Sequence, residues 1–229
     1  MTPQTDIVLP VHNAFNLVKK TVEQLYASTT NFRLIVVDDF SDTETREFLY
    51  GPECTGRDPR NLYVRTNKQK WFTRASNTGL RLVETPRAAL INSDMEFSPG
   101  WLEELYSCWE EFEQQTSRRV GLVGHTQDMV TPARWEETRE PNYVTGHCVL
   151  YSMAALQEIS ERRGDPGRYL DEVHREAIHI NSDRYANYEM NKAGWATLKS
   201  FKANCGHVGF GSWNADVGHV FGLRLEDLD

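Results

Sequence analysis

No stretch of this sequence approaches the ~20 consecutive apolar residues that a membrane-crossing helix needs, so no span is expected. The opening Met1-Thr2-Pro3-Gln4-Thr5-Asp6 has neither a basic cluster nor an apolar run, so no signal peptide is expected. Cysteine is sparse: Cys54, Cys108, Cys148 and Cys205 are far apart in sequence and form no Cys-x-x-Cys pair. Scattered cysteines in a chain of this length point to free thiols in a reducing compartment, and so to a soluble, cytoplasmic protein. Positive charge is in deficit: 25 Lys and Arg stand against 33 Asp and Glu, a net charge of −8. That balance argues against a broad electrostatic grip on nucleic acid or anionic lipid. There is no Gly-x-Ser-x-Gly nucleophile elbow, no internal repeat and no low-complexity segment. His174 and His179, five apart, do not have zinc-protease spacing and are assigned nothing.

What is present is a succession of short apolar runs. The 229 residues, 39% hydrophobic, are enough for one domain with a substantial core. Asp6–Val11, Phe32–Val37, Leu62–Arg65 and Ala88–Asn92 read as strands. Segments 16–26, 42–50 and 73–83 carry helical spacing between them. This alternation predicts an α/β fold, with a mostly parallel central sheet flanked by helices. Asn13 is a candidate cap for the first helix, and Ser41 or Asp42 for the second. Ser98, with Pro99 at the first helical position, opens a further helix with an apolar stripe from Trp101 to Phe112. Beyond it the sequence predicts a strand at 120–123, an irregular stretch at 124–143, and mixed structure at 144–159 running into a helix at 153–162. A helix at 182–193, ended by Gly194, and a strand at 195–201 follow.

Two of the strands end in acids. Leu34–Val37 runs into Asp38-Asp39, and Ala88–Ile91 runs into Asn92-Ser93-Asp94, with Glu96 two residues on. Strand ends in open α/β sheets are where ligands collect. A carboxylate there can hold a hard divalent cation, and the cation can hold phosphates.

Four segments, in order, resemble the family-two glycosyltransferases, GT-A-fold enzymes that use nucleotide sugars. They are Leu9-Pro10-Val11-His12-Asn13, Val36-Val37-Asp38-Asp39-Phe40-Ser41-Asp42, Arg74-Ala75-Ser76-Asn77-Thr78-Gly79 and Leu90-Ile91-Asn92-Ser93-Asp94. The likeness covers the first hundred residues well and continues more weakly through 181–213. It implies a single GT-A domain over 1–229, with a nucleotide-sugar half at 1–97 and an acceptor and catalytic half at 98–229.

The resemblance also implies roles. Pro10, Val11 and Asn13 would line the nucleotide sugar, and Asp38 or Asp39 would contact a uracil base. Asp42 would be a structural cap. Arg74 would meet a phosphate, and Asn77 would order its loop or touch the nucleotide. Lys68 and Lys70 lie just upstream, and Trp71 stands where the family usually has a small glycine. The family's Asp-x-Asp motif is Asn92-Ser93-Asp94 here, so Asp94 keeps the metal role and the neutral Asn92 can bond ribose instead. Glu96 is either a further ligand or a solvated acid at a turn. Asp183 matches the general-base acid of the family's Glu-Asp-x-Asp helix, although Ser182 and Tyr185 replace its neighbouring acids. His207, in Cys205–Trp213, would complete the shell of Mn²⁺ or Mg²⁺. Trp135 and Trp213, and less so Tyr143 and Trp195, are candidate sugar platforms.

The implied activity is metal-dependent transfer of a sugar, from a nucleoside-diphosphate sugar (a UDP-sugar by the uracil-contact match), to an acceptor hydroxyl with inversion. The acceptor is a glycan, a lipid-linked sugar, a protein or a modified base. Three alternatives stay open: a nucleotidyltransferase, a non-catalytic nucleotide- or glycan-binding module, and a retaining transferase. Against the first, Leu9–Phe15 contains no glycine for a phosphate loop.

Overall fold

The computed structural model describes residues 4–125, 133–139, 142–171 and 182–208. Its first half follows the alternation of the sequence. Strands β1 (Thr5–Val11), β2 (Phe32–Asp38), β3 (Leu62–Arg65) and β4 (Arg87–Ile91) alternate with helices α1 (Phe15–Ser28), α2 (Thr43–Tyr50) and α3 (Trp71–Leu80). Then come β5 (Met95–Phe97), α4 (Trp101–Thr116), β6 (Val120–His125), β7 (Trp135–Glu137), β8 (Cys148–Ser152) and α5 (Met153–Arg162). Helix α6 (Ser182–Lys192) and strands β9 (Ala196–Ser200) and β10 (Cys205–His207) complete it.

Eight strands form one sheet in the order β3-β2-β1-β4-β8-β6-β9-β7. β3, β2, β1 and β4 run parallel, as do β6 and β9. β8 runs antiparallel between β4 and β6, and β7 runs antiparallel along β9. A separate two-stranded ribbon pairs β5 with β10.

Successive residues of a strand point to opposite faces, and both faces are covered. Ile7, Leu9 and Val11 pack with α1 and α4 in one core that also holds Leu34, Val36, Ala89, Ile91, Cys148 and Leu150. Val8, Ile35, Leu90, Val149 and Tyr151 face the other way, into a second core with Leu80 of α3 and residues of α5 and α6. Two-sided burial explains why these strands read as continuous apolar runs. Pro10 fits its strand because the β1–β4 pairing ends at Val8–Leu90, one turn of pleat before a residue with no N–H to donate.

Several cap assignments differ from expectation. Asp42 does cap α2, accepting from the Thr45 N–H at 2.8 Å. Asn13 does not cap α1: its Oδ1 accepts from the Asp42 N–H at 2.8 Å instead, and Ala14 stands at the cap in a left-handed conformation. The fourth helix starts at Trp101 with Gly100 as its cap (φ 83°), past Ser98, whose N–H donates to the Asn204 carbonyl at 3.0 Å. All four cysteines are free and buried. Among the described residues no helix is long and apolar enough to cross a membrane.

Candidate functional site

β1 lies between β2 and β4 and runs parallel to both, so all three C-terminal ends open on one edge of the sheet. The acids after β2 and the acid after β4 therefore flank the end of β1, two strand spacings or roughly 10 Å apart. Such a span is of the size a nucleoside diphosphate needs between its base and its phosphates.

On the β2 side both carboxylates are fully buried. Asp38 accepts from the Tyr63 hydroxyl at 2.6 Å, from the Ser41 N–H at 2.7 Å and from the Arg65 guanidinium. Burial, then the hydrogen bond to Asp38, push the Tyr63 phenol up to about 12. Asp39 accepts from the Lys70 N–H at 2.8 Å, the Trp71 N–H at 2.8 Å and the Thr66 hydroxyl at 3.0 Å. Burial raises its pKa, and these hydrogen bonds oppose the rise. Both acids thus shape the rim from beneath. Asp38 ties down β3, and Asp39 ties down the turn from Thr66 to Trp71, where Trp71 adopts a left-handed φ of 66°. Asn13, at φ 56°, lies beside them, with its N–H on the Ser41 hydroxyl at 3.0 Å. Pro10 and Val11 are buried in β1.

On α3, Arg74 is exposed. Asn77 is fully buried, and its amide makes a two-way link to the Leu170 backbone, donating to the carbonyl at 2.7 Å and accepting the N–H at 2.8 Å. It orders the 165–171 segment.

The β4 side is built by the two-stranded ribbon. β10 pairs with β5 so that His207 lies opposite Met95, and the Val208 N–H donates to the Asp94 carbonyl at 3.0 Å. His207 Nε2 consequently lies 3.1 Å from Asp94 Oδ1. The Asn92 amide nitrogen lies 3.5 Å from the same Nε2, and Asn92 Oδ1 is buried with no hydrogen-bond partner among the described residues. Thr21 of α1 holds the backbone beneath, donating to the Ser93 carbonyl at 3.0 Å. Glu96 is paired with Lys20.

This corner fits a divalent cation. A carboxylate oxygen and an imidazole nitrogen 3.1 Å apart have a spacing that suits adjacent ligands of one small ion. A metal there would take the lone pair of an unprotonated Nε2. Among the described residues no group of three or more His, Cys, Asp or Glu is placed to hold a metal, so the remaining ligands would be diphosphate oxygens or water.

Asp183 sits in the first turn of α6. Its carboxylate accepts from the Gly146 N–H at 2.9 Å and the Arg184 N–H at 2.8 Å. Burial raises its pKa, with the Gly146 and Arg184 amides opposing. The next residue along from Gly146 is His147, whose ring stacks on His207 with centroids 3.8 Å apart and planes 2° apart. Burial, then the neighbouring His207, lower its pKa to about 4, so His147 is neutral at physiological pH. Sequence reading missed His147. A histidine immediately before a buried strand carries no local signal of a partner sixty residues away.

The aromatic candidates are not gathered here. Trp135 lies on β7 at the far edge of the sheet, four strands from β4, with its ring edge-on to Phe112 at 5.0 Å. Trp195 is buried, donates to Glu158 at 3.0 Å and lies under the Arg119 guanidinium. Tyr143 is half-buried. Trp213, His174 and His179 lie outside the described residues.

Comparison with known proteins bears on the fold and on the family. The fold is similar to that of the mannosyltransferase PcManGT from Pyrobaculum calidifontis, solved in complex with GDP-Man and Mn²⁺. The TM-score is 0.62 at 15% sequence identity, covering 92% of this chain and 59% of that one. An uncharacterized protein, y4gI of Sinorhizobium fredii (strain NBRC 101917 / NGR234), is 32% identical over 108 residues, which is 45% of this chain. The match spans only 12% of that much longer relative. The profile of the family described as Glycosyl transferase family 2 matches residues 6–159, more than half of the sequence. This chain belongs to glycosyltransferase family 2.

Proposed function

We propose that this protein transfers a sugar from a nucleoside-diphosphate sugar to an acceptor hydroxyl, using Mn²⁺ or Mg²⁺ held by Asp94 and His207. The carrying observation is the 3.1 Å approach of these two side chains at the end of β4, beside the acid-lined end of β2. Residues up to about 97 supply the nucleotide side, and those after it the acceptor side.

On the nucleotide side, the buried end of β1 at Pro10 and Val11 underlies Asn13 and the rim held by Asp38 and Asp39, which face the base and ribose. Arg74 meets a phosphate, and Asn77 holds the 165–171 segment in place beside it. Asn92 and Ser93 lie along the ribose and diphosphate. A bound divalent cation supplies Lewis-acid stabilisation of the charge developing on the leaving diphosphate. Asp183 accepts the acceptor's proton. The Gly146 and Arg184 amides fix its carboxylate, and its burial makes it a stronger base than an exposed aspartate. Attack from the face opposite the diphosphate inverts the anomeric centre. Trp213 serves the acceptor, whereas the edge position of Trp135 gives it at most a remote part of an extended acceptor.

The donor is a UDP-sugar by the acid-tipped end of β2, and a GDP-sugar is the competing choice because the solved mannosyltransferase was captured with GDP-Man. A thermal-shift screen of UDP and GDP, with and without Mn²⁺, decides between them. One nucleotide at about 100 times its Kd, with metal, stabilises the fold by about 2.7 kcal/mol. At about 2–4 °C per kcal/mol for a chain this size that is a rise of about 5–11 °C. A metal-independent response, or none to either nucleotide, would overturn the reading. Release of free nucleoside diphosphate rather than pyrophosphate on incubation with the nucleotide sugar separates sugar transfer from nucleotidyl transfer.

A further inference from the structure

We propose that His147 is a positioning residue of the cation corner, fixing the ring plane of His207 by stacking. The inference rests on the reading that Asp94 and His207 hold a divalent cation. It adds a residue that no motif of the sequence assigns.

Among the described residues, the Gly146-His147 dipeptide touches the cation corner twice and the candidate base once. The Gly146 N–H donates to Asp183 Oδ2 at 2.9 Å. The His147 carbonyl accepts from the Asn92 N–H at 2.9 Å. The His147 ring lies flat on the His207 ring, 3.8 Å between centroids and 2° between planes. That separation is full van der Waals contact over one whole face.

The support matters because of how His207 is held. It ends a three-residue strand paired on one side to β5 alone, outside the main sheet. Asp94 and Asn92 meet the Nε2 edge of its ring, and a neighbour packed on the ring face fixes the plane as well. His147 is anchored differently. The residue after it, Cys148, opens β8, which is buried throughout and paired on both sides, to β4 and β6. The stack therefore transfers the rigidity of the central sheet to a donor on a short ribbon. Side chains that orient a metal's ligands commonly contribute 10–100-fold to metal affinity. What the stack requires is a flat ring, not an imidazole.

Mn²⁺ titration followed by electron paramagnetic resonance, in the presence of UDP or GDP, tests this on the wild type and on His147→Ala, His147→Phe and His147→Leu. His147→Ala is expected to weaken Mn²⁺ about 10-fold, and His147→Leu, apolar but not flat, to weaken it similarly. His147→Phe is expected to stay within about 3-fold of wild type, at the same thermal stability as the leucine variant. Should the alanine variant fail to fold, the phenylalanine–leucine pair carries the comparison. Equal Mn²⁺ affinity in all variants overturns the inference while leaving the cation reading intact. A phenylalanine variant as weak as the others also overturns it, by making His147 a ligand in its own right. Absence of Mn²⁺ binding by the wild type with either nucleotide overturns the cation reading and this inference together.

Discussion

Substituting Gly79 by alanine probes how closely the helix beneath the nucleotide side is seated. α3 packs on β1 and β2, and Gly79 lies in its last turn. A Cβ there would stand 2.4 Å from Val8 Cγ1 and 3.0 Å from Val37 Cγ2. Both valines are fully buried, in strands paired on both sides, so neither can swing away. Carbon atoms in contact sit ~3.5–4.0 Å apart, and the helix must lift by the shortfall. Alanine in a helix is favoured over glycine by about 0.5–1 kcal/mol. Overpacking a dense core costs about 1–3 kcal/mol, and a clash on two rigid neighbours belongs at the upper end. The net is a loss of about 2 kcal/mol, or about 4–8 °C in Tm for a chain of this length. Lifting α3 also disturbs its first residue, Trp71, and its cap, Lys70, whose amides hold Asp39, so nucleotide affinity is expected to fall with stability. Thermal unfolding of Gly79→Ala, Val8→Ala and the double variant is the assay. Val8→Ala removes the methyl that clashes, so the double variant is expected to be more stable than the two single losses sum to, by at least 0.5 kcal/mol. A Gly79→Ala protein as stable as the parent, or strictly additive losses, would refute the packing argument.

Two further outcomes follow from the site and the core. Asp183→Asn is expected to cut sugar transfer by at least about 100-fold while leaving nucleoside diphosphate affinity unchanged; steady-state rates beside calorimetric titration show whether it does, and near-normal transfer would remove Asp183 as the base. The Asp6–Arg33 pair predicts acid sensitivity: burial would raise the Asp6 pKa, but the Arg33 guanidinium at 2.8 Å and the Glu84 and Thr85 amides outweigh it and leave it below the ordinary 3.8. That stabilisation is complete above the unfolded value and is lost as pH falls through the lowered one, so Asp6→Asn is expected to flatten the stability profile below about pH 4. At neutral pH the variant loses about 3 kcal/mol, at the low end because Glu84 still faces Arg33 at 3.1 Å. Denaturant titrations across pH 2–7 check both effects.

The parallel part of the fold was legible because β1, β2 and β4 are buried on both faces and their helices on one, so each announces itself locally; β3, the half-buried edge strand, showed by its β-rich composition alone. Helix α5 matches its expected span of 153–162. β8 did not stand out, because Cys148–Ser152 runs straight into α5 with Ser152 as the cap, accepting from the Ala155 N–H. β5, β7 and β10 are three residues each, too short for any alternation to show. In the site, the acids at strand ends could be found from sequence because the strand before them is. Their partners could not. Tyr63 and Arg65 reach Asp38 from the next strand, and Lys70 and Trp71 reach Asp39 through backbone amides, which have no sequence signature. Trp135 shows the converse: polar neighbours such as Glu136 and Glu137 do not tell a sugar platform from a residue on the edge strand of a sheet, which is where it lies.

The place of β9 in the sheet has a practical side. It lies between β6 and β7, and it is followed by the ribbon strand that bears His207. A recombinant fragment trimmed to the family match at residue 159 would forfeit Asp183 and His207. It would also leave the Val120–His125 strand with a bare edge of unpaired N–H and C=O groups, the kind of surface that recruits other chains. Such a fragment is expected to precipitate rather than to behave as a smaller, slower enzyme.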